Sequence, residues 1–363
     1  MDVHKLFEIM VKHNASDLHI KAGQPPVFRM QGSLSRMQNQ APLSGEDTQR
    51  LLLPLLNEDQ QETLQERGNV DFAYSLPGVG RFRCNIFMQR GALSAAIRKV
   101  NLHIPHYEEL NLPSAVGQLA QFEQGLVLIG GVTGSGKSTT LASILNEINA
   151  HRRCHILTIE DPIEYLFQDN KAIINQREIG IDVMDFDDAL RSAVRQDPDV
   201  MLVGEMRDAE TFETALTASE TGHLVFGTIH SSGAAQTIGR LLDLFPESKH
   251  DQIRTSLAFN MRAIMNQKLL KGAQKDHPRV PALELMFNTP MVKKLLQDGE
   301  DAKLHEAIKA DKEYGCQTFN VALSDLFRRK LISKDTAVRA SPNAEELRMT
   351  MSGISTSDGG GLM

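Results

Sequence analysis

The run Gly131-Val132-Thr133-Gly134-Ser135-Gly136-Lys137-Ser138 fits the pattern G-x-x-x-x-G-K-[ST]. It follows the apolar run Leu126-Val127-Leu128-Ile129 and precedes a segment in which Leu141, Ile144, Leu145 and Ile148 fall on one face at helical spacing. Strand, glycine-rich loop and helix in that order predict a loop that holds phosphate. Glycines let the backbone curl so that successive N–H groups and the helix N-terminus point at phosphate oxygens, while Lys137 adds positive charge. Thr133, Gly134, Ser135, Gly136, Lys137, Ser138 and Thr139 are therefore the candidate nucleotide-binding residues, with Ser138 placed to hold Mg²⁺.

Outward from the loop, short apolar strands alternate with amphipathic helices, which is the signature of a parallel sheet covered by helices. The next strands read His155-Ile156-Leu157-Thr158-Ile159, Val200-Met201-Leu202-Val203 and Leu224-Val225-Phe226-Gly227-Thr228-Ile229. Polar or acidic residues follow each, and ligands bind just beyond the carboxyl ends of such strands. Glu205 is the acidic candidate at the end of a neighbouring strand, able to hold a water on Mg²⁺. Glu160, Asp161 and Glu164 put carboxylates directly after another strand, with Pro162 stiffening the turn, and form a candidate general-base site. His223 and His230 bracket the last strand, too far apart along an extended chain to share a metal ion. His230 lies on the ligand side, where an imidazole either senses the γ-phosphate or makes a structural hydrogen bond.

Toward the N-terminus the texture is α+β. Leu6, Ile9, Met10 and His13 recur at helical spacing. In residues 79–88, Phe82, Cys84, Ile86 and Met88 share one strand face and Arg81, Arg83 and Asn85 the other; in residues 94–100, Ala96 and Arg98 share a face. This organisation predicts a first domain over 1–100, a linker over 101–113 containing Pro105 and Pro113, and a second domain over 114–350. The second domain is expected to turn mostly helical from about Asp251, and 351–363 to form a mobile Ser/Gly-rich tail.

The 363 residues contain 39 Lys plus Arg and 46 Asp plus Glu, a net charge of −7, with 41% hydrophobic and 23% charged residues. That balance suits a soluble chain with a sizeable core and excludes a disordered one. No apolar run approaches the ~18 residues of a membrane helix. Cys84, Cys154 and Cys316 are few and far apart, which suits a reducing compartment and excludes a zinc module. The acidic balance, without a basic stripe interleaved with aromatics, argues against direct binding of nucleic acid.

Taken together, these runs resemble the secretion-traffic ATPases and, within them, the type IV pilus retraction ATPases. The resemblance is carried by the phosphate loop and by Ser16-Asp17-Leu18-His19, Gly80-Arg81-Phe82-Arg83-Cys84-Asn85 and Glu160-Asp161-Pro162-Ile163-Glu164. It continues in Arg195-Gln196-Asp197-Pro198-Asp199, Gly204-Glu205-Met206-Arg207-Asp208, Gly227-Thr228-Ile229-His230 and Cys316-Gln317-Thr318-Phe319.

The resemblance implies an α/β fold: an N-terminal PAS-like α+β domain joined to a RecA-like P-loop ATPase domain with a parallel sheet and a helical C-terminal part. It implies ATP and Mg²⁺ as cofactors, Glu164 as catalytic base and Glu205 as the carboxylate that holds Mg²⁺ through water. Glu160, Asp161, His223 and Arg240 would support the site, His230 would meet the nucleotide, and Arg83 and Arg98 of the small domain would reach its phosphates. The implied assembly is a homohexamer, cytoplasmic and peripheral at the inner-membrane base of a pilus, acting on a platform protein there. Family extension motors carry a further N-terminal domain and a tetracysteine zinc site, so the resemblance favours retraction.

One run departs from the family. The retraction signature Ala-Ile-Arg-Asn-Leu-Ile-Arg-Glu falls on residues 291–298, where Val292, Leu295 and Leu296 keep the apolar spacing, Lys293 replaces the first arginine and Gln297 the second. The departure leaves open an accessory motor dependent on a second retraction ATPase. A secretion or DNA-uptake motor uses the same residues, and a non-hydrolysing ATP-binding regulatory subunit is the alternative outside the motor class.

Overall fold

Every residue of Gly125–Gly130, the strand that leads into the phosphate loop, is buried, as a strand covered on both faces requires. The computed structural model describes residues 2–30, 32–100 and 103–351. The chain divides into two units: one runs from the N-terminus to His103 and takes in Glu164–Leu166, the other holds Ile104–Ile163 and the chain from Phe167 onward. Among the described residues the first unit contains strands β1 (Asp17–Ile20), β2 (Val27–Met30), β3 (Ser33–Arg36), β4 (Asn69–Leu76), β5 (Gly80–Gln89) and β6 (Ala92–Lys99). The second contains β7 (Gly125–Gly130), β8 (His155–Glu160), β9 (Ile173–Glu178), β10 (Val200–Val203), β11 (Leu224–Ile229), β12 (Met261–Lys271) and β13 (Arg279–Phe287).

The first unit is an antiparallel sheet in the order β3-β2-β1-β6-β5-β4. Helix Val3–Lys12 buries Val3, Leu6, Phe7 and Met10, and its N-terminus is capped by the Asp2 carboxylate. Phe7 stacks on Phe82 with ring centroids 4.3 Å apart, beside the buried Leu18, Cys84 and Ile97. Each fully buried side chain of this size contributes about 1.5–3 kcal/mol. Two further helices, Gly45–Leu52 and Glu58–Arg67, open on capping boxes built by Ser44 with Asp47 and Asn57 with Gln60.

The second unit is a sheet in the order β13-β12-β7-β11-β10-β8-β9, parallel except for β13. Helices Lys137–His151, Phe186–Ala193, Ala209–Glu220, Ala234–Leu242 and His250–Asn260 connect its strands, as parallel pairing requires. The segment order β12-β7-β11-β10-β8 is RecA-like. It also corrects one expectation: β10, which leads to Glu205, is not beside the phosphate-loop strand β7, because β11 lies between them.

Four other expectations change. The region beyond Asp251 is helical only in part: after helix His250–Asn260, β12 and β13 form a long antiparallel hairpin, and helices resume from Pro290–Gln297 onward. Strand β12 hides from a periodicity reading because it is buried on both faces yet carries Asn266 and Gln267, whose polar groups are satisfied internally. Met88, expected on the buried face of β5, is 48% exposed, next to the turn at Arg90 and Gly91. Leu110, Leu112 and Tyr107, within the anticipated linker, pack on the second unit's core, so the observed break falls at His103 and Ile104. Of the tail expected over 351–363, Met351 ends helix Ala344–Met351 and the remainder lies outside the described residues.

Candidate functional site

The phosphate loop leaves β7 at Gly130 and enters helix Lys137–His151 at Gly136. Gly131, Gly134 and Gly136 have φ of 152°, 77° and 90°, a backbone region that side chains disfavour. The helix has no side-chain cap and no acidic residue in its first turn, so its N-terminal N–H groups remain available for an anion. Lys137 Nζ donates to the Gly131 carbonyl at 2.8 Å and to that of Val132 at 3.3 Å, which folds the ammonium over the loop. Val132, Thr133 and Gly134 are exposed at the loop's crest, and Lys137, Ser138 and Thr139 are half-buried. Ser135 Oγ is buried without a hydrogen-bond partner among the described residues. A buried hydroxyl left in that state is costly unless a ligand meets it.

Strands β7, β10 and β11 run parallel and in register, Gly130 beside Ile229 and Gly227 beside Val203, so their carboxyl ends open on one edge of the sheet. On that edge Glu205 is held by two side chains. His230 Nε2 lies 2.8 Å from Glu205 Oε1, and Arg207 Nη2 donates to Oε2 at 2.6 Å. The Arg207 guanidinium holds the Glu205 carboxyl below its ordinary value, partial burial works against it, and His230 adds to the lowering. Glu160, at the end of β8, accepts from Thr158 Oγ1 at 2.6 Å and from Gln176 Nε2 at 3.1 Å. Asp161 and Glu164 are exposed.

Beneath this edge lies a buried polar layer that sequence reasoning missed. Ser231, the residue after His230, donates to Asn266 Oδ1 at 2.8 Å and lies 2.8 Å from Thr237 Oγ1. Glu284 of β13 accepts from the Ala234 N–H at 2.8 Å, and burial pushes its carboxyl up. None of these residues carries a local motif, because each acquires its role from a strand distant in sequence. Arg207 was within reach: it stands inside Gly204-Glu205-Met206-Arg207-Asp208, two residues from the carboxylate it binds.

Within the second unit, His223 and Arg240 are not brought to this edge. His223 sits at the opposite end of β11, where its Nδ1 is 2.9 Å from the Ala218 carbonyl and closes the end of helix Ala209–Glu220; a strand of that length holds it ~20 Å from His230. Arg240 is exposed in the last turn of helix Ala234–Leu242. Arg83 and Arg98 belong to the first unit, where they are cross-strand partners on β5 and β6. Arg98 Nε donates to Asp17 Oδ1 at 2.9 Å, and Arg29 Nε lies 3.6 Å from Asp17 Oδ2. Glu164 also groups with the first unit, so the acidic run divides between the two.

The sheet order, the glycine loop and the acidic edge define a P-loop ATPase that binds nucleotide. Comparison with known proteins narrows the class: the chain belongs to the Type II/IV secretion system protein family, whose model matches residues 2–334. It is 41% identical over 337 residues to the "Type IV pilus retractation ATPase PilT" of Pseudomonas aeruginosa, covering 93% of this chain and 97% of that protein. It is 37% identical over 358 residues to the "Type IV pilus ATPase PilU" of the same organism, covering 99% of this chain and 93% of the relative. The crystal structure of the pilus retraction motor PilT with bound ADP superposes with a TM-score of 0.90 at 42% identity, covering 96% of this chain and 99% of that one.

Proposed function

We propose that this protein is a Mg²⁺-dependent ATPase motor that drives type IV pilus retraction as a homohexamer at the inner-membrane base of the pilus. The observation that carries the chemistry is the common sheet edge, where a phosphate loop follows β7 and Glu205, tied to His230, follows β10. The retraction role rests on the likeness to PilT along nearly the whole chain. No helix of the described residues is long and apolar enough to cross a membrane. In this reading the motor acts at the pilus base on a platform protein.

In this reading Lys137 and the loop N–H groups, with Thr133, Gly134, Ser135, Gly136 and Thr139, hold the phosphates of ATP. The unpartnered Ser135 hydroxyl and the open helix N-terminus fit an anion there. The donor set also fits Mg²⁺: the Ser138 hydroxyl and the Glu205 carboxylate are hard oxygen ligands, and Glu205, already bonded by His230 and Arg207, acts through water. The ion supplies charge neutralisation on the phosphates. Glu164 is the general base that orients water, with Glu160 and Asp161 shaping its turn and His230 beside the γ-phosphate. Arg83 and Arg98 come to the phosphates from the small domain as the motor closes; Asp17 pre-orients Arg98. His223 and Arg240 are supporting residues of the site in this reading.

An accessory motor is the second reading, favoured by the PilU likeness and by residues 291–298. There Val292, Leu295 and Leu296 are buried, while Lys293 lies 3.8 Å over the Phe259 ring, so the first position of the signature keeps a cation and Gln297 loses the second.

The test is steady-state ATP hydrolysis with mass by light scattering, in wild type, Lys137→Ala and Glu164→Gln. A hexamer whose turnover needs both side chains supports the motor; a monomer that binds ATP without turnover overturns it. Restored retraction in cells lacking their own retraction motor, without a second motor present, separates the two readings.

A further inference from the structure

The phosphate loop rests on one side chain of β12. Gln267 is 3% exposed and places its carboxamide between the loop and the helix that follows it. Its Nε2 donates to the Ser135 carbonyl at 2.8 Å, and its Oε1 accepts from Thr140 Oγ1 at 2.8 Å. The same residue presses on two loop glycines. A Cβ at Gly136 would stand 2.8 Å from Gln267 Nε2, and one at Gly131 would stand 2.7 Å from the Gln267 carbonyl oxygen. The beginning of the loop, its end and the first turn of the helix therefore all bear on Gln267.

We propose that Gln267 is a positioning residue that holds the phosphate loop in its nucleotide-receiving conformation, an inference that rests on the ATPase reading above. The argument turns on one peptide plane. In a trans peptide the C=O and the following N–H point in opposite directions. Drawing the Ser135 carbonyl down onto Gln267 turns the Gly136 N–H outward, toward the side where an anion approaches.

A carboxamide is the group this place requires. The Ser135 carbonyl needs a donor and the Thr140 hydroxyl needs an acceptor, and an uncharged amide offers both from one planar group. A carboxylate would set two acceptors against the carbonyl and bring a negative charge under a phosphate site. An apolar side chain of equal length would strand both buried partners. Asn266, next in the strand, bonds Ser231 on the other side, so adjacent residues of β12 secure the phosphate loop and the segment after β11.

The experiment measures Mg·ADP affinity by titration calorimetry, and kcat and KM for ATP, on the full chain as wild type, Gln267→Met, Gln267→Glu and Thr140→Val. Gln267→Met is expected to weaken ADP binding and raise KM roughly tenfold, about 1.4 kcal/mol, with kcat within about twofold. Gln267→Glu weakens binding further at neutral pH and recovers as pH falls, since the protonated acid again offers a donor and an acceptor. Thr140→Val keeps the shape and loses one hydroxyl, so KM rises about threefold; it carries the test if the Gln267 variants do not fold. Unchanged ADP affinity and KM in folded variants overturn the proposal, whatever happens to Tm, and so does a fall in kcat at constant KM. A wild-type chain that binds no ADP overturns the ATPase reading instead.

Discussion

His230 Nε2 lies 2.8 Å from Glu205 Oε1, joining the residue after β11 to the carboxylate after β10. Arg207 takes the other carboxylate oxygen, so Glu205 is oriented from two sides. His230→Ala is expected to lower kcat about 10- to 100-fold with KM little changed, because it loosens Glu205 and removes a group beside the γ-phosphate, where bonds change during turnover, while the phosphate loop still carries most of the binding. A rise in KM at constant kcat, read from steady-state kinetics, would place His230 in binding instead.

Gly131→Ala is expected to weaken ADP binding more than tenfold. The added Cβ would stand 2.4 Å from Ser135 Oγ and 2.7 Å from the Gln267 carbonyl oxygen, in a backbone at φ +152°. A fluorescent ADP titration checks this, with Gly239→Ala as the control, since a Cβ there meets nothing within 4 Å.

Glu284→Gln is expected to stabilise the second unit at neutral pH. Burial raises the Glu284 carboxyl in the folded chain, so the folded state binds its proton more tightly than the unfolded state. Stability then falls as pH rises from the ordinary carboxylate range through the raised value. The amide keeps an acceptor for the Ala234 N–H without carrying the charge, and a gain of about 1 kcal/mol corresponds to ~2–4 °C in Tm. Thermal scans across pH should show the variant's advantage vanish in acid; an advantage that persists there would assign the effect to packing.

Asp17→Ala is expected to destabilise the first unit by about 1–2 kcal/mol, since it removes the shared partner of Arg29 and Arg98. Burial pushes the Asp17 carboxyl up, but Arg98, Ser16 and Arg29 outweigh it and the net shift is downward. Its contribution is therefore full above the ordinary Asp value and lost as pH falls through the lowered one. Denaturant midpoints should converge for wild type and variant in strong acid, and a constant gap would refute the ionic account.

The parts legible in the sequence are those whose chemistry is local. Leu126 to Ile129 read as a covered strand because they run straight into the glycines at 131, 134 and 136, which serve a tight loop feeding a helix. Capping signals such as Ser44 with Asp47 are likewise encoded within a few residues. The hairpin of β12 and β13 was illegible because its polar residues interrupt an apolar run, and polarity reads as surface until a buried partner is known. Gln267 has such partners in Ser135 and Thr140, both far from it along the chain.

By itself, then, the sequence determined a phosphate loop, the strands and helices around it, and the acidic residues that follow two of those strands. Only the tertiary structure decided which of these residues meet. The placing of β11 between β7 and β10 puts His230 on Glu205 and leaves His223 at the far end of the same strand. The seating of β12 against β7 puts an amide under the phosphate loop. The physical reason is that hydrogen bonds and ion pairs act over about 3 Å, whereas their partners here are separated by whole strands and helices, so the order of strands in the sheet decides which chemistry is assembled.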